Sequence, residues 1–310
     1  MLRVLAFHRI ASQSATPQLD PRLVSATPEA FGEQMLHLRR YYTPVSMADI
    51  VGAFAEGAPL PPRAVHVTVD DAYRDFRDVV WPVLRELGIP VTVFVPTGYP
   101  GRPERAFWWD RLHRAASGRP REECHQAGRI AAEASGVTTT GVHHDPRQAL
   151  RGLPHDVAEA FIDHFCRELG DLPCGPPEVL DWSELRALRA EGVSFGAHTR
   201  DHVALPHVHP ERARAEIRGS IDELTRELGE TTPVLAYPYG LYDDDVARIA
   251  REEGCSLAFT CDPGMNWPGR TDPLKLRRTN ITARTTPSLF RIRMLPWLAP
   301  VDQWYAQCRR

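Results

Sequence analysis

The chain has 310 residues, of which 43% are hydrophobic and 25% are charged, a balance typical of a folded globular protein. Its formal net charge is −3, so no cationic excess points to nucleic acid or to an anionic membrane as a partner. No apolar run reaches the roughly 18 residues of a transmembrane helix. The apolar stretch after Met1 is short and is interrupted by His8 and Arg9, so we expect no signal peptide and a cytoplasmic location.

Short apolar runs alternate with amphipathic stretches along the chain. Strands are predicted over residues 3–10, 64–69, 90–96, 193–197, 233–237, 256–261 and 275–281. Helices are predicted over residues 28–41, 74–87, 182–191, 210–228 and 243–253. The strand centres are nearly continuous apolar runs, which are typical of parallel strands covered on both faces. This alternation predicts an α/β fold, either a barrel or a doubly wound sheet.

One long segment, between Thr97 and Asp181, contains no predicted strand. Helical patterns occur within it at residues 108–116, 122–134 and 156–169. A loop of this length without secondary structure of its own would be uncommon in a compact domain. We therefore interpret residues 1–310 as a single domain with a helical insertion at about residues 100–180, after the third strand.

Two adjacent carboxylates, Asp70 and Asp71, end the second predicted strand. Burying them would cost several kcal/mol each unless they were paired or bound to a metal. In α/β folds, sites are built at the C-terminal ends of strands. The alternative is that Asp71 only caps the helix that begins near Arg74.

Two further motifs also follow predicted strands. His198 and His202, four residues apart, can face the same side of a turn and bind one metal ion. Because the chain has 13 histidines, a chance pair with this spacing is the alternative. The segment Tyr237-Pro238-Tyr239-Gly predicts a sharp turn with exposed backbone N–H groups, one of which could stabilise an oxyanion.

Taken together and in this order, these motifs resemble the polysaccharide deacetylase family, carbohydrate esterase family 4. That family has a Thr-Phe-Asp-Asp-Gly motif, a His-(Ser/Thr)-x-x-His motif and an Arg-x-Pro-(Tyr/Phe)-Gly motif. The segment 198–202, His-Thr-Arg-Asp-His, fits the second motif fully, and the segment 68–72, Thr-Val-Asp-Asp-Ala, fits the first at its threonine and both aspartates. The resemblance implies a distorted (β/α) barrel of about seven parallel strands.

The resemblance also implies roles for individual residues. Asp71, His198 and His202 would hold a divalent metal, with zinc as the first expectation and cobalt, nickel, manganese or iron as alternatives. Asp70 would be the catalytic base, and the backbone N–H of Tyr239 would stabilise the oxyanion.

Two departures from the family pattern concern the base and the acid. Ala236 stands where the family commonly has an arginine that supports the aspartate base, and Arg278 stands where the family has a histidine general acid. Arginine, with a pKa above ~12, is a poor proton donor. We expect His8, at the end of the first strand, to substitute as the acid, although a structural role is the alternative. Arg278 could instead bind an anionic group of the substrate.

The remaining candidates concern substrate. Tyr237 and Pro238 are assigned to the substrate groove, and Trp267, six residues beyond Cys261, is placed to stack on a sugar ring. The function expected first is metal-dependent removal of an N-acetyl group from an amino sugar, a sugar nucleotide or a glycan precursor. Two alternatives stay open: the same metal site acting on a non-sugar or non-acetyl amide, and a catalytically weak carbohydrate-binding or regulatory homologue.

Overall fold

The computed structural model describes residues 1–12, 14, 16, 17, 19–137, 150, 153–170, 178–229 and 232–295. The strands are β1 Leu2–Phe7, β2 Arg9–Ile10, β3 Val24–Ala26, β4 Thr43–Pro44, β5 Ala64–Asp70, β6 Val91–Val95, β7 Ser194–Ala197, β8 Val234–Ala236, β9 Leu257–Phe259 and β10 Thr279–Asn280. The helices are α1 Pro28–Tyr41, α2 Met47–Ala55, α3 Trp81–Leu87, α4 Trp108–Ala116, α5 Arg121–Ser135, α6 His155–Glu168, α7 Trp182–Ala190, α8 Pro210–Leu228, α9 Asp244–Glu252 and α10 Pro287–Arg293.

Seven parallel strands form the main sheet in the order β10-β1-β5-β6-β7-β8-β9, and β4 pairs with the start of β5. A parallel bridge between Phe259 and Leu276 joins β9 to the segment that leads into β10. Because β10 pairs with β1, this bridge brings the two edges of the sheet together as a distorted barrel. The predicted fold is confirmed. This closure is short: it consists of the bridge at Leu276 and the pairing of the two residues of β10 with β1.

The buried faces follow the predicted pattern. Every residue of β1, β5 and β6 is buried, as expected of strands with the core on both sides. Four predicted strands are clearly shorter than expected. The first is split at His8, β8 and β9 have three residues each, and the last is reduced to two residues after a 3₁₀ turn at Pro273–Lys275.

The helices also follow the sequence pattern, with two exceptions. The bounds of α1 and α8 match the prediction, and Thr27 caps α1 by accepting a hydrogen bond from the Ala30 N–H. The helix predicted over residues 74–87 is present and contains a π-helical turn at Phe76–Val80. The helices α2 and α10 were not predicted from the sequence, although Ser46 and Asp49 form a capping box at the start of α2.

The region of the predicted insertion holds α4, α5 and α6, and α6 packs against both α4 and α5. Its polypeptide leaves the barrel after β6 and returns at Val179, which forms a bridge with Tyr73. Residues 138–149 and 171–177 lie outside the described residues. Among the helices that the structure describes, none combines the length and apolar character needed to cross a membrane.

Candidate metal centre and active site

Asp71, His198 and His202 come together at the C-terminal ends of the strands. Asp71 directly follows β5 and His198 directly follows β7. The Asp71 Oδ1 atom lies 3.3 Å from Nε2 of His202 and 3.6 Å from Nε2 of His198. The three candidate ligand atoms lie within 4.8 Å of one another, and all three residues are buried.

The chemistry of this cluster fits a divalent metal. The Nδ1 atom of His198 lies 2.7 Å from the carbonyl oxygen of Ala236, which can only accept, so Nδ1 carries the proton and the Nε2 lone pair points toward Asp71. Burial lowers the pKa of His198 to about 4, which keeps the imidazole neutral as a metal ligand requires. Asp71 Oδ1 is buried and has no hydrogen-bond partner among the described residues. Two imidazole nitrogens and one carboxylate are a common zinc ligand set that leaves a position open.

Backbone strain is concentrated around the same cluster. Of the six non-glycine residues with positive φ in the described chain, five lie here: Asp71, Ala72, Thr199, His202 and Tyr239, with φ between 53° and 73°. Such conformations cost on the order of 1–3 kcal/mol each and persist only where surrounding structure holds them. Part of that support comes from the returning insertion, where the Leu180 N–H donates to the Ala72 carbonyl at 2.9 Å.

Asp70 is held by Arg278, which corrects the expectation that Arg278 binds an anionic substrate group. The Nη1 and Nη2 atoms of Arg278 donate to the two carboxylate oxygens of Asp70 at 2.7 and 2.8 Å. Arg278 is completely buried and also donates to the Thr260 carbonyl and the Thr68 hydroxyl. Its donors are therefore engaged within the protein, and the guanidinium does not reach the substrate.

His8 faces Asp70 from the neighbouring strand. Its Nε2 atom lies 4.0 Å from Oδ2 of Asp70, and its side chain is 21% exposed. The backbone N–H of His8 donates to the Ser25 hydroxyl, at the break between β1 and β2. Both His8 and Asp70 line a cavity of about 190 Å³ in front of Asp71, His198 and His202. The imidazole is thus placed where a proton could be delivered to a bound molecule.

The Tyr-Pro-Tyr-Gly turn brings only one of its predicted residues to the cavity. Tyr239 lines it, with φ 59° and ψ 3°. Tyr237 is completely buried, and its hydroxyl donates to the Leu274 carbonyl, so the predicted contact with substrate is wrong for this side chain. Pro238 is buried in the turn and does not line the cavity.

Trp267 does not lie near the site either. It follows Asn266, which forms a bridge with Leu2 at the start of β1. The N-terminal ends of the strands lie at the opposite edge of the sheet from Asp71, His198 and His202. Trp267 is 41% exposed there, so the predicted stacking on a substrate sugar is wrong.

The insertion contributes two further residues to the site, Trp108 and Trp109, which the sequence offered only as residues that could stack on a sugar ring, with Trp267 preferred. Trp109 lines the cavity, and its ring lies edge-on to His202 with centroids 4.9 Å apart. Trp108 donates from Nε1 to the Tyr239 hydroxyl at 2.9 Å. The segment Phe-Trp-Trp-Asp at 107–110 was the available signal, since such an aromatic group is unusual at the start of a helix.

Comparisons with known proteins agree with this geometry. A model of the polysaccharide deacetylase family matches residues 57–258. Poly-beta-1,6-N-acetyl-D-glucosamine N-deacetylase of Escherichia coli strain K12 is 37% identical over 95 residues, which are 30% of this chain and 13% of that protein. The chain therefore spans only a small part of this curated relative.

Two solved structures share the fold over nearly the whole chain. Streptococcus pyogenes deacetylase PplD, in complex with acetate, aligns with a TM-score of 0.62 at 19% identity, covering 95% of this chain and 97% of that one. IcaB from Ammonifex degensii aligns with a TM-score of 0.62 at 21% identity, with the same coverage of both chains.

Because the family model matches more than half of the residues, the protein belongs to the polysaccharide deacetylase family. It is thus placed among carbohydrate-active deacetylases, on a distorted barrel. The sugar nucleotide suggested from the sequence finds no support in these relatives. The burial of Arg278 also removes the physical reason for it.

Proposed function

We propose that the protein is a zinc-dependent hydrolase that removes N-acetyl groups from N-acetylglucosamine units of a polysaccharide. The convergence of Asp71, His198 and His202 beside Asp70 carries this proposal. Family membership supports the reaction class, and the name of the Escherichia coli relative supports the sugar.

The residues divide the work of amide hydrolysis among them. A zinc ion held by the three ligands would lower the pKa of a bound water toward ~7 and polarise the acetamide carbonyl. Asp70 accepts a proton from the attacking water, and Arg278 keeps the Asp70 carboxylate ionised and in place. The backbone N–H of Tyr239 donates to the oxyanion that forms on the carbonyl oxygen. His8 donates a proton to the amine nitrogen as the C–N bond breaks, which leaves acetate and a free amino sugar.

The test combines metal analysis with acetate release. The wild-type protein, Asp71→Ala and His198→Ala are assayed for bound zinc and for acetate released from β-1,6-linked and β-1,4-linked N-acetylglucosamine oligomers. We expect about one zinc per wild-type chain, acetate release from the β-1,6 oligomer, and loss of both in the two variants. His207→Ala, an exposed histidine outside the cluster, is the control and should keep both.

Three results would contradict the proposal in different ways. Unchanged zinc and activity in Asp71→Ala would refute the site. Zinc binding with hydrolysis of simple amides but not of the oligomers would favour a non-sugar substrate. Zinc binding without any hydrolysis would favour a carbohydrate-binding homologue that has lost turnover.

A further inference from the structure

Tyr239, the proposed oxyanion donor, has a left-handed backbone conformation, which residues with a bulky side chain rarely adopt. Its φ of 59° places a bulky aromatic residue in the left-handed region. The next residue, Gly240, has φ 70° and approaches Cys261 so closely that an added Cβ would lie 2.4 Å from the Cys261 Cβ. The position of the Tyr239 backbone N–H therefore depends on contacts that hold this turn in place.

The side chain of Tyr239 is held from two directions. Its hydroxyl accepts the indole N–H of Trp108 at 2.9 Å. Its ring packs edge-on against the ring of His202, with centroids 4.7 Å apart. The ring therefore lies between a proposed metal ligand and the first residue of α4, so a shift of Trp108 would be transmitted to the turn.

The start of α4 is itself fixed by a buried hydrogen-bond network. Trp109 donates from Nε1 to the Tyr73 hydroxyl at 2.9 Å, and that hydroxyl donates to Oδ2 of Asp110 at 2.6 Å. The other oxygen of Asp110 accepts the backbone N–H of Asp20 at 2.9 Å. Because Tyr73 lies two residues beyond Asp71, this network ties the helix to the turn that carries the carboxylate ligand.

We propose that Trp108 is a positioning residue for the reaction: its indole N–H holds the Tyr239 ring and thereby keeps the Tyr239 backbone N–H directed at the oxyanion. Trp108 acts through Tyr239 and does not contact the reacting atoms. The inference rests on the proposed function and assigns to the insertion a share in organising the site.

The experiment is a double-mutant cycle on the full chain. Trp108→Phe removes the donor and keeps an aromatic ring, and Tyr239→Phe removes the acceptor and keeps the backbone donor. Both variants and the double variant are compared with the wild type for kcat and KM, bound zinc and melting temperature. Trp267→Phe, in an exposed tryptophan on the opposite edge of the barrel, is the matched control.

We expect each single variant to lower kcat by about 10-fold, part of the ~10²–10³-fold that loss of a whole oxyanion donor costs. KM and zinc content should stay at the wild-type values, because substrate and metal contacts are retained. The double variant should be no slower than either single variant, since both remove the same hydrogen bond. Trp267→Phe should leave kcat unchanged.

Several outcomes would overturn the proposal. They are an unchanged kcat in Trp108→Phe, additive losses of kcat in the double variant, or a loss of kcat that is fully explained by loss of bound zinc.

The cycle is repeated with p-nitrophenyl acetate, whose hydrolysis needs the oxyanion donor but no sugar recognition. Hydrolysis of this ester alone would refute only the proposed substrate and would still report on Trp108. Absence of hydrolysis of both substrates would refute both proposals.

Discussion

Arg278 grips Asp70 through two parallel hydrogen bonds of 2.7 and 2.8 Å, and neither side chain is exposed to solvent. Burial on its own would raise the pKa of Asp70, but the adjacent Arg278 guanidinium outweighs burial and holds that pKa well below its ordinary value. The two departures from the family pattern are thus connected. Arg278, which immediately precedes β10 at the position of the family histidine, makes to Asp70 the contact expected of the arginine that is missing at Ala236.

Replacing Arg278 by Met should destabilise the fold and impair the base. The variant leaves the Asp70 carboxylate buried without its cation, a change that typically costs about 3–5 kcal/mol. Because the native pKa of Asp70 lies below its unfolded value, the pair stabilises the fold above pH ~4 and loses this effect as the pH falls further. Without the guanidinium, burial raises the Asp70 pKa of the variant, so its carboxylate is neutralised at a higher pH than in the wild type. Urea unfolding should therefore show a stability difference between wild type and variant that is largest near neutral pH and shrinks as the pH falls.

The same variant should alter the pH dependence of activity. Loss of the guanidinium raises the pKa of Asp70, so the acid limb of kcat/KM should move to higher pH. Arg278→Lys, which keeps the charge but not the paired geometry, should show smaller changes in both measurements. Equal behaviour of the Met and Lys variants would contradict an electrostatic role for Arg278.

Replacing His8 by Gln should slow the hydrolysis of amides selectively. General-acid catalysis typically contributes about 10²–10⁴-fold, and an amine leaves poorly unless it is protonated. The p-nitrophenolate of p-nitrophenyl acetate leaves without a proton, so its hydrolysis should fall much less. The ratio of kcat values for the two substrates is the measurement. A similar loss on both would indicate that His8 serves the attacking water instead.

Removal of the metal should destabilise the protein, because a metal bound by Asp71, His198 and His202 stabilises the folded state. A ligand that binds only the folded state at 100 times its Kd contributes about 2.7 kcal/mol. Dialysis against a chelator should therefore lower the melting temperature of the wild type, and added zinc should restore it. Asp71→Ala should melt at the same temperature with and without chelator. A chelator effect of equal size in that variant would place the bound metal elsewhere.

Asp110 should make a pH-dependent contribution to stability. Burial raises the pKa of this carboxyl to about 6, although the Tyr73 hydroxyl donates to it and opposes the rise. Since the unfolded value is lower, near ~3.9, the folded state binds an extra proton between these values, and stability from this group falls as the pH rises through that window. The free energy of unfolding should therefore decrease as the pH rises from about 4 to about 6.

Asp110→Asn should remove this slope while keeping an acceptor for the Asp20 N–H. The measurement is the free energy of unfolding of both proteins between pH 4 and pH 8. An identical pH dependence in the wild type and the variant would show that Asp110 titrates at its ordinary pKa in the folded state.

Local patterns in the sequence predicted an α/β fold and placed candidate side chains at strand ends, whereas the distorted barrel and a shared site of Asp71, His198 and His202 were implied by the family resemblance. Periodic apolar positions located α1 and α8, and the rule that sites form at strand C-termini made Asp71 and His198 candidate site residues. His8 was placed by the same rule, since it ends the first strand. These placements at strand ends needed only a strand boundary and the parallel topology.

What the sequence could not predict depends on side chains that are distant along the chain. The pairing of Arg278 with Asp70 spans 208 positions, and that of Trp108 with Tyr239 spans 131. Trp267 was misplaced because the segment after β9 folds back toward the start of β1 instead of remaining at the strand ends. The burial of Tyr237 follows from its stacking on Tyr242, a contact that no periodic pattern encodes.

The seam of the barrel has a consequence for inactivation. Leu276 and β10 close the sheet through a few backbone hydrogen bonds, and Arg278 lies between them. A local opening of this short stretch would release the guanidinium and leave the rest of the sheet intact. On heating, activity would then be lost at a lower temperature than the one at which the whole fold unfolds, because the active site depends on the closed barrel.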